Sequence, residues 1–193
     1  MRICMLTTTH LPPYDGRIFE KEAKSLTKEH DIIIIAPSEY GGIEENSGVK
    51  IVAVRKPASN LLHPPLTLWR VLRAGLGEEC DVIHCHEPDA LLAALLLKAV
   101  KGRKVVYDIH EHWPSEIPFD LGVPNVSVLT RVLEPPLLSR GEVLLSRFAD
   151  ARIAVSESVA ERFGKNGTRP VIISNYSVAE SAPPPALPAG GQP

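Results

Sequence analysis

DVIHCHEPDALLAALLLKAVKGRKVVYDIHEHW, residues 81–113, carries the pattern that decides the fold. It opens on a short apolar run, Asp81 to Cys85, of strand length. Pro88 then stands at a helix's first position, where no N–H is needed, and Leu91 to Leu97 is apolar nearly all round. Gly102 provides the stop, since glycine takes the left-handed backbone that closes a helix without steric cost. Lys104 to Tyr107 is a second apolar run. Strand, buried helix and strand in roughly 30 residues is the unit from which parallel sheets are built.

The same alternation extends outward from this unit. Toward the N-terminus, Arg2 to Thr7 reads as a strand, and Gly16 to Lys28 as an amphipathic helix. Phe19, Ala23 and Leu26 fall on one face of that helix, with Asp15 as its N-cap. Ile32 to Ile35, within Asp31 to Ala36, are four β-branched residues in a row, which suits a strand buried on both faces. Val49 to Val54 is a further strand and Pro65 to Ala74 a helix. Toward the C-terminus, residues 111–125 form a Pro-rich loop, and the helical stretch Val126 to Phe148 must break at Pro135-Pro136. Ala151 to Val155 is a strand, Ser156 to Phe163 a helix, and Val171 to Ser174 a last strand. The expected fold is α/β, a doubly wound Rossmann-like parallel sheet in the order 3-2-1-4-5-6 with the seventh strand at the edge. One domain is expected over residues 1–178, followed by a Pro/Ala/Gly-rich linker or disordered tail over 179–193.

Composition narrows the class. The 193 residues suit one sizeable domain, and 44% hydrophobic residues can fill a core. A net charge of −2 gives no electrostatic case for nucleic acid. Cys4, Cys80 and Cys85 make no even disulfide framework and read as thiols of a reducing compartment. No secretory signal is visible, and no apolar run approaches the roughly 20 residues that span a bilayer. The expectation is a soluble cytoplasmic protein. Peripheral contact with the inner face of the membrane stays open, although no strongly basic amphipathic face argues for it.

In such sheets ligands bind outside the carboxyl ends of the strands, at the switch between strands 1 and 4. Five of the seven histidines fall at those ends: His10, His84, His86, His110 and His112. Asp15, Glu87, Asp108 and Glu111 accompany them, whereas His30 and His63 lie elsewhere. His84 and His86, two apart, share a strand face, so they could ligate a metal with His110 or His112. No carboxylate-rich pattern flanks them, and His84 suits a core position, so no metal or other cofactor is expected. His86 and Glu87 are candidates for ligand contact. Gly16 and Arg17 open the first helix directly after the first strand, the place for an anion, though a plain helix cap with a solvated Arg17 would look the same. The densest polar run is Asp108-Ile109-His110-Glu111-His112-Trp113, with His110 and Glu111 as site candidates and Trp113 offering a flat face to a sugar.

Four stretches recur in a familiar order: THLPPYDGRIFEKEAKSL, DVIHCHEPDALLAALLLK, KVVYDIHEHWPSEI, and ADARIAVSESVAERF followed by VIISNY. With them the chain resembles, over roughly residues 1–176, the N-terminal domain of group 1 glycosyltransferases, glycosyltransferase family 4, which have a two-lobed GT-B architecture. The resemblance implies a sugar moved from a nucleotide-sugar donor to a hydroxyl acceptor (glycan, lipid-linked or small molecule), with retention and without metal. It implies Gly16 and Arg17 near the donor phosphates and His110, as the catalytic residue, against the donor sugar. Asp15, His86, Glu87, Glu111 and Trp113 would bind acceptor. Many members carry a Gly-Gly pair where this chain has Gly16-Arg17. The paired-glutamate motif and nucleotide pocket belong to a C-terminal lobe that is not among these residues, so the chain alone is expected to be inactive. A metal-dependent hydrolase built on the histidines, or a non-catalytic nucleotide- or sugar-binding module, are the rival readings.

Overall fold

The computed structural model describes residues 1–8, 14–57, 63–109, 139–164 and 169–174. The strands are β1 (Arg2–Leu6), β2 (Asp31–Ser38), β3 (Gly42–Asn46), β4 (Val49–Arg55), β5 (Val82–Cys85), β6 (Lys104–Ile109), β7 (Ala151–Ala154) and β8 (Val171–Ile172). The helices are α1 (Ile18–Leu26), α2 (His63–Gly77), α3 (Pro88–Lys101), α4 (residues 139–146) and α5 (Glu157–Gly164). The sheet order is β3-β4-β2-β1-β5-β6-β7-β8. Apart from β3 this is the order expected, and all the other pairings are parallel.

β3 is an addition that the apolar pattern did not reveal. It pairs antiparallel with β4, and all five of its residues are exposed, so it carries no hydrophobic alternation. Its cue was the turn. Ser47 (φ 53°) and Gly48 (φ 77°) both lie in the left-handed region between the paired Asn46 and Val49, the geometry of a two-residue hairpin loop.

Side chains alternate across the sheet and sort into two cores. Cys4, Leu6, Ile33, Ile35, Ile83, Cys85, Val105, Tyr107 and Ile109 face α2, α3, α4 and α5. Ile3, Met5, Ile32, Ile34, Val49 and Ile51 face α1 through Ile18, Phe19 and Ala23. The run Ile32 to Ile35 is buried on both faces as its composition predicted. All three cysteines are buried free thiols. α3 begins at Pro88 and ends at Gly102, whose φ of 66° and bond to the Lys98 carbonyl are the helix stop read from sequence.

α1 departs from expectation in kind. Ile18–Ala23 is a π-helical turn, and only Lys24–Leu26 is α-helical. Glu20 N–H donates to the Asp15 carbonyl and Glu22 N–H to the Arg17 carbonyl, each five residues back. β8 is shorter than expected, stopping at Ile172. Among the described residues no helix is long and apolar enough to cross a membrane. The boundary at 178 and the 179–193 tail lie outside the described residues.

Candidate functional site

The site follows from the alternation along β5 and β6. Val82 packs with the core under α1, so His84 and His86, two and four residues on, share that face. Their rings lie 4.6 Å apart, centroid to centroid. In the β5–β6 register His84 stands opposite Val106, which places Asp108 on the same face near the end of β6. The face is apolar over β1, β2 and β4. It becomes polar at the carboxyl ends of β5 and β6, beside the switch between β1 and β5.

α1 supplies the rest. An α-helix has about 3.6 residues per turn, so residues five apart point well away from each other. The wider π turn brings them nearly one above the other. Arg17 and Glu22 are five apart, and they meet: Arg17 Nε lies 2.8 Å from Glu22 Oε1. On the sheet side, Arg17 Nη2 donates to Asp108 Oδ2 at 2.7 Å. His86 Nδ1 is 3.9 Å from Glu22 Oε2 and 3.7 Å from Asp108 Oδ2. The Asp108 and His86 side chains are only 2% and 0% exposed, and Arg17 itself only 13%. Buried atoms here without a hydrogen-bond partner among the described residues include Arg17 Nε, Glu22 Oε2, Asp108 Oδ1 and His84 Nε2.

The charges are unequal, with one guanidinium facing two carboxyl groups. Burial, reinforced by the Asp108 charge, pushes the Glu22 carboxyl up to about 8, so near neutral pH it is mostly protonated. Burial pushes His84 down, which keeps its ring neutral. Donor atoms of Glu22, His84, His86 and Asp108 lie within 4.8 Å of one another, the only such group of metal-ligand type among the described residues. Arg17, paired with both carboxyl groups, already carries the positive charge that a cation would bring.

The sequence candidates fare differently from one another. Asp15 acts as the cap: its Oδ1 accepts the N–H groups of Arg17 at 2.7 Å and Ile18 at 2.8 Å. Gly16 is exposed, and a Cβ built there meets nothing within 4 Å, so the protein's own packing does not require the glycine. Arg17 is not a solvated cap residue but part of the buried cluster. His86 is buried against Glu22 and Asp108 instead of projecting from the strand end. Glu87 has internal partners: Oε1 accepts from Thr7 Oγ1 at 2.7 Å and Oε2 from Thr8 N–H at 3.1 Å. That makes it a brace between the ends of β1 and β5. His10, His110, Glu111, His112 and Trp113 lie outside the described residues.

Glu22 was missed and Asp108 was noticed only as a companion of the histidines. A signal for Glu22 existed. Ile18 and Ala23, five apart, are both buried, a spacing that a π turn satisfies and an α-helix does not.

Comparison with known proteins agrees with this fold. The model of Glycosyltransferase Family 4 matches residues 16–176. No curated protein matches. Among solved structures, the chain is similar to sucrose-phosphate synthase from Thermosynechococcus elongatus (TM-score 0.66, 10% identity), covering 90% of this chain and 47% of that one. It is similar to HepE of Anabaena in complex with UDP-glucose (TM-score 0.56, 18% identity), covering 91% and 44%. It is also similar to a candidate UDP-N-acetylglucosamine 2-epimerase from Listeria monocytogenes (TM-score 0.52, 11% identity), covering 86% and 43%. The chain therefore spans about half the length of these proteins, and at such identities the likeness is one of fold.

Proposed function

The chain belongs to glycosyltransferase family 4, and from that premise we propose that it is the acceptor-side lobe of a retaining transferase. The enzyme moves a sugar from a nucleotide-sugar donor to a hydroxyl acceptor. Residues 1–178 form this lobe, residues 179–193 lead toward the second lobe, and that second lobe holds the donor nucleotide. HepE, a structure of the same fold, is complexed with UDP-glucose, which makes a uridine diphosphate sugar the first donor to try.

One observation carries the reading. At the carboxyl rim of the sheet, an exposed Gly16 with open space above it adjoins a guanidinium held by two carboxyl groups. Glycine lets a ligand approach the backbone closely, and the planar guanidinium of arginine can engage two oxygens of a phosphate at once. The leaving group is a nucleoside diphosphate, whose developing charge preorganised donors stabilise. In this reading His110, next in sequence after β6, orients the donor sugar and polarises the site. Glu111 and Trp113 bind the acceptor. Asp15, His86 and Glu87 act behind this layer, as cap, cluster member and brace. The chemistry is metal-free, because Arg17 supplies the cation.

A second reading has a specific observation behind it. The cluster of Glu22, His84, His86 and Asp108 has the residue types of a hydrolytic metal site. Arg17 counts against it.

The test compares two forms. The 193-residue chain alone, given UDP-glucose and a panel of hydroxyl acceptors, should transfer no sugar, and the full-length protein should. Full transfer by the short chain would refute the half-enzyme reading. Metal-dependent hydrolysis by either form would favour the second.

A further inference from the structure

We propose that Glu22 and Asp108 are positioning residues for Arg17, fixing its guanidinium at the rim so that it meets the donor diphosphate already oriented. The proposal deepens the transferase reading and rests on it.

Three independent features of the backbone converge on this one side chain. The π turn in α1 brings Glu22 to Arg17 Nε, a contact that α-helical geometry would not give. β6 brings Asp108 to Nη2 from the opposite side. Asp15 Oδ1 accepts the Arg17 N–H itself, fixing the backbone from which the side chain starts. Arg17 is thus held by a hydrogen bond at its backbone, by an ion pair beside Nε and by a hydrogen bond at Nη2.

Stability alone does not account for the arrangement. The sheet face beside it is lined with Ile3, Met5, Ile32 and Ile34, so an apolar residue in place of Asp108 would continue the core. Instead the protein buries two carboxyl groups against one cation and leaves Glu22 Oε2 and Asp108 Oδ1 without a hydrogen-bond partner among the described residues. Buried ion pairs with unsatisfied atoms are a poor route to stability. Arrangements of this kind are tolerated where orientation matters. A mobile arginine must give up rotamer freedom to clamp a phosphate, and one held in place gives up less.

Removing a positioning residue should therefore act only through Arg17. The test is a double-mutant cycle in the full-length protein with UDP-glucose as probe, measuring UDP release, with calorimetric UDP binding alongside. Arg17→Ala should lower kcat/KM about 10²-fold. Glu22→Ala should lower it tenfold or more, and Arg17→Ala/Glu22→Ala should be no worse than Arg17→Ala alone. Glu22→Gln, which keeps an oxygen at the Oε1 position, should restore most of the activity. Glu20→Ala, on the solvent side of the same helix where Glu20 pairs with Lys24, should change nothing. If the single losses multiply, or if Glu22→Ala is as active as wild type while Arg17→Ala is not, the positioning role is wrong and the transferase reading stands. If Arg17→Ala is fully active, Arg17 does not serve the donor and this inference is overturned. If the wild type neither releases nor binds UDP, the transferase reading falls and takes this inference with it. Melting temperatures of all variants separate loss of fold from loss of function.

Discussion

Two buried arginines, one on each side of the sheet, show how a scaffold differs from a site. On the α4/α5 side, Arg162 pairs with Glu142 Oε2, and Glu142 Oε1 accepts from Tyr107 Oη at 2.7 Å. Both oxygens of the Glu142 carboxylate have partners and the guanidinium lies over the Phe163 ring at 4.5 Å, while Arg162 Nε and Nη1 have no hydrogen-bond partner among the described residues. Burial, reinforced by the Glu142 charge, pushes the Tyr107 phenol well up, so it stays a neutral donor. On the α1 side, Arg17 meets two carboxyl groups, and oxygens on both lack partners among the described residues. The first cluster pairs Arg162 with a carboxylate whose two oxygens are both taken up, and it ties β6 to two helices. The second has one acid in excess and opens beside an exposed glycine. A buried ion pair by itself says little about function; imbalance at the binding rim says more.

The largest expected effect breaks the Arg162–Glu142 cluster. Glu142→Ala leaves the Arg162 charge buried without its partner, and such losses typically cost about 3–5 kcal/mol. The urea midpoint should fall accordingly, while UDP release in the surviving folded protein stays near wild type. A loss of turnover larger than the loss of folded protein would mean that the α4/α5 cluster is not merely scaffold.

On the site side the order reverses, with activity lost and fold kept. His110→Ala in the full-length protein should cut turnover by roughly 10²–10³, the usual cost of about 2.7–4 kcal/mol for losing a preorganised polar contact near developing charge. His30→Ala, at the turn after α1, is the control and should cost little. Equal activity of His110→Ala and wild type would remove this histidine from the site.

The excess acid gives the next prediction. Glu22 has its carboxyl raised from 4.5 to about 8 in the folded protein. The folded state therefore holds a proton that the unfolded chain releases at lower pH. Stability contributed by that proton is fully present below about 4.5, and is lost as pH climbs to about 8. Glu22→Gln, neutral at every pH, should remove this slope and melt above the wild type at pH 8. Thermal melts of both proteins from pH 5 to 9 test it. Parallel curves would mean that Glu22 is ionised throughout.

Most of the fold was legible because it rests on burial. Ile32 to Ile35, the apolar helix after Pro88 and the stop at Gly102 each followed from side-chain or backbone chemistry, and each is where the sequence put it. β3 was not legible, since Gly42–Asn46 buries nothing and only the Ser47-Gly48 turn betrayed it. The site was half legible. The rim and Arg17 came from topology and turn chemistry. Glu22 was hidden because the helix was read with a 3.6-residue period, and the π turn changes which residues share a face. Glu87 was read as a ligand contact because it ends a strand run; what that reading missed is that Thr7 and Thr8, about 80 residues away in sequence, donate to its oxygens.

The smallest expected effect is no effect, and it decides between the two readings of the unbalanced cluster. Glu22, His84, His86 and Asp108 have the types and spacing to attract zinc. For zinc to bind, Glu22 must lose its proton. The metal must also share both carboxyl groups with Arg17, which lies 2.8 Å from one and 2.7 Å from the other. Bringing a divalent cation beside a buried guanidinium costs Coulomb energy that water screens poorly there. The protein with zinc in excess should therefore melt where it melts without it. A micromolar site at a 100-fold excess of free metal would add roughly 2.7 kcal/mol, a shift no melt would miss. Arg17→Ala sharpens the comparison, because removing the guanidinium leaves the two carboxyl groups to the metal. If zinc stabilises Arg17→Ala but not the wild type, the guanidinium is what keeps metal out. If zinc stabilises the wild type, and His86→Ala abolishes the shift, the excess acid in this cluster belongs to a metal centre and not to a sugar-nucleotide clamp.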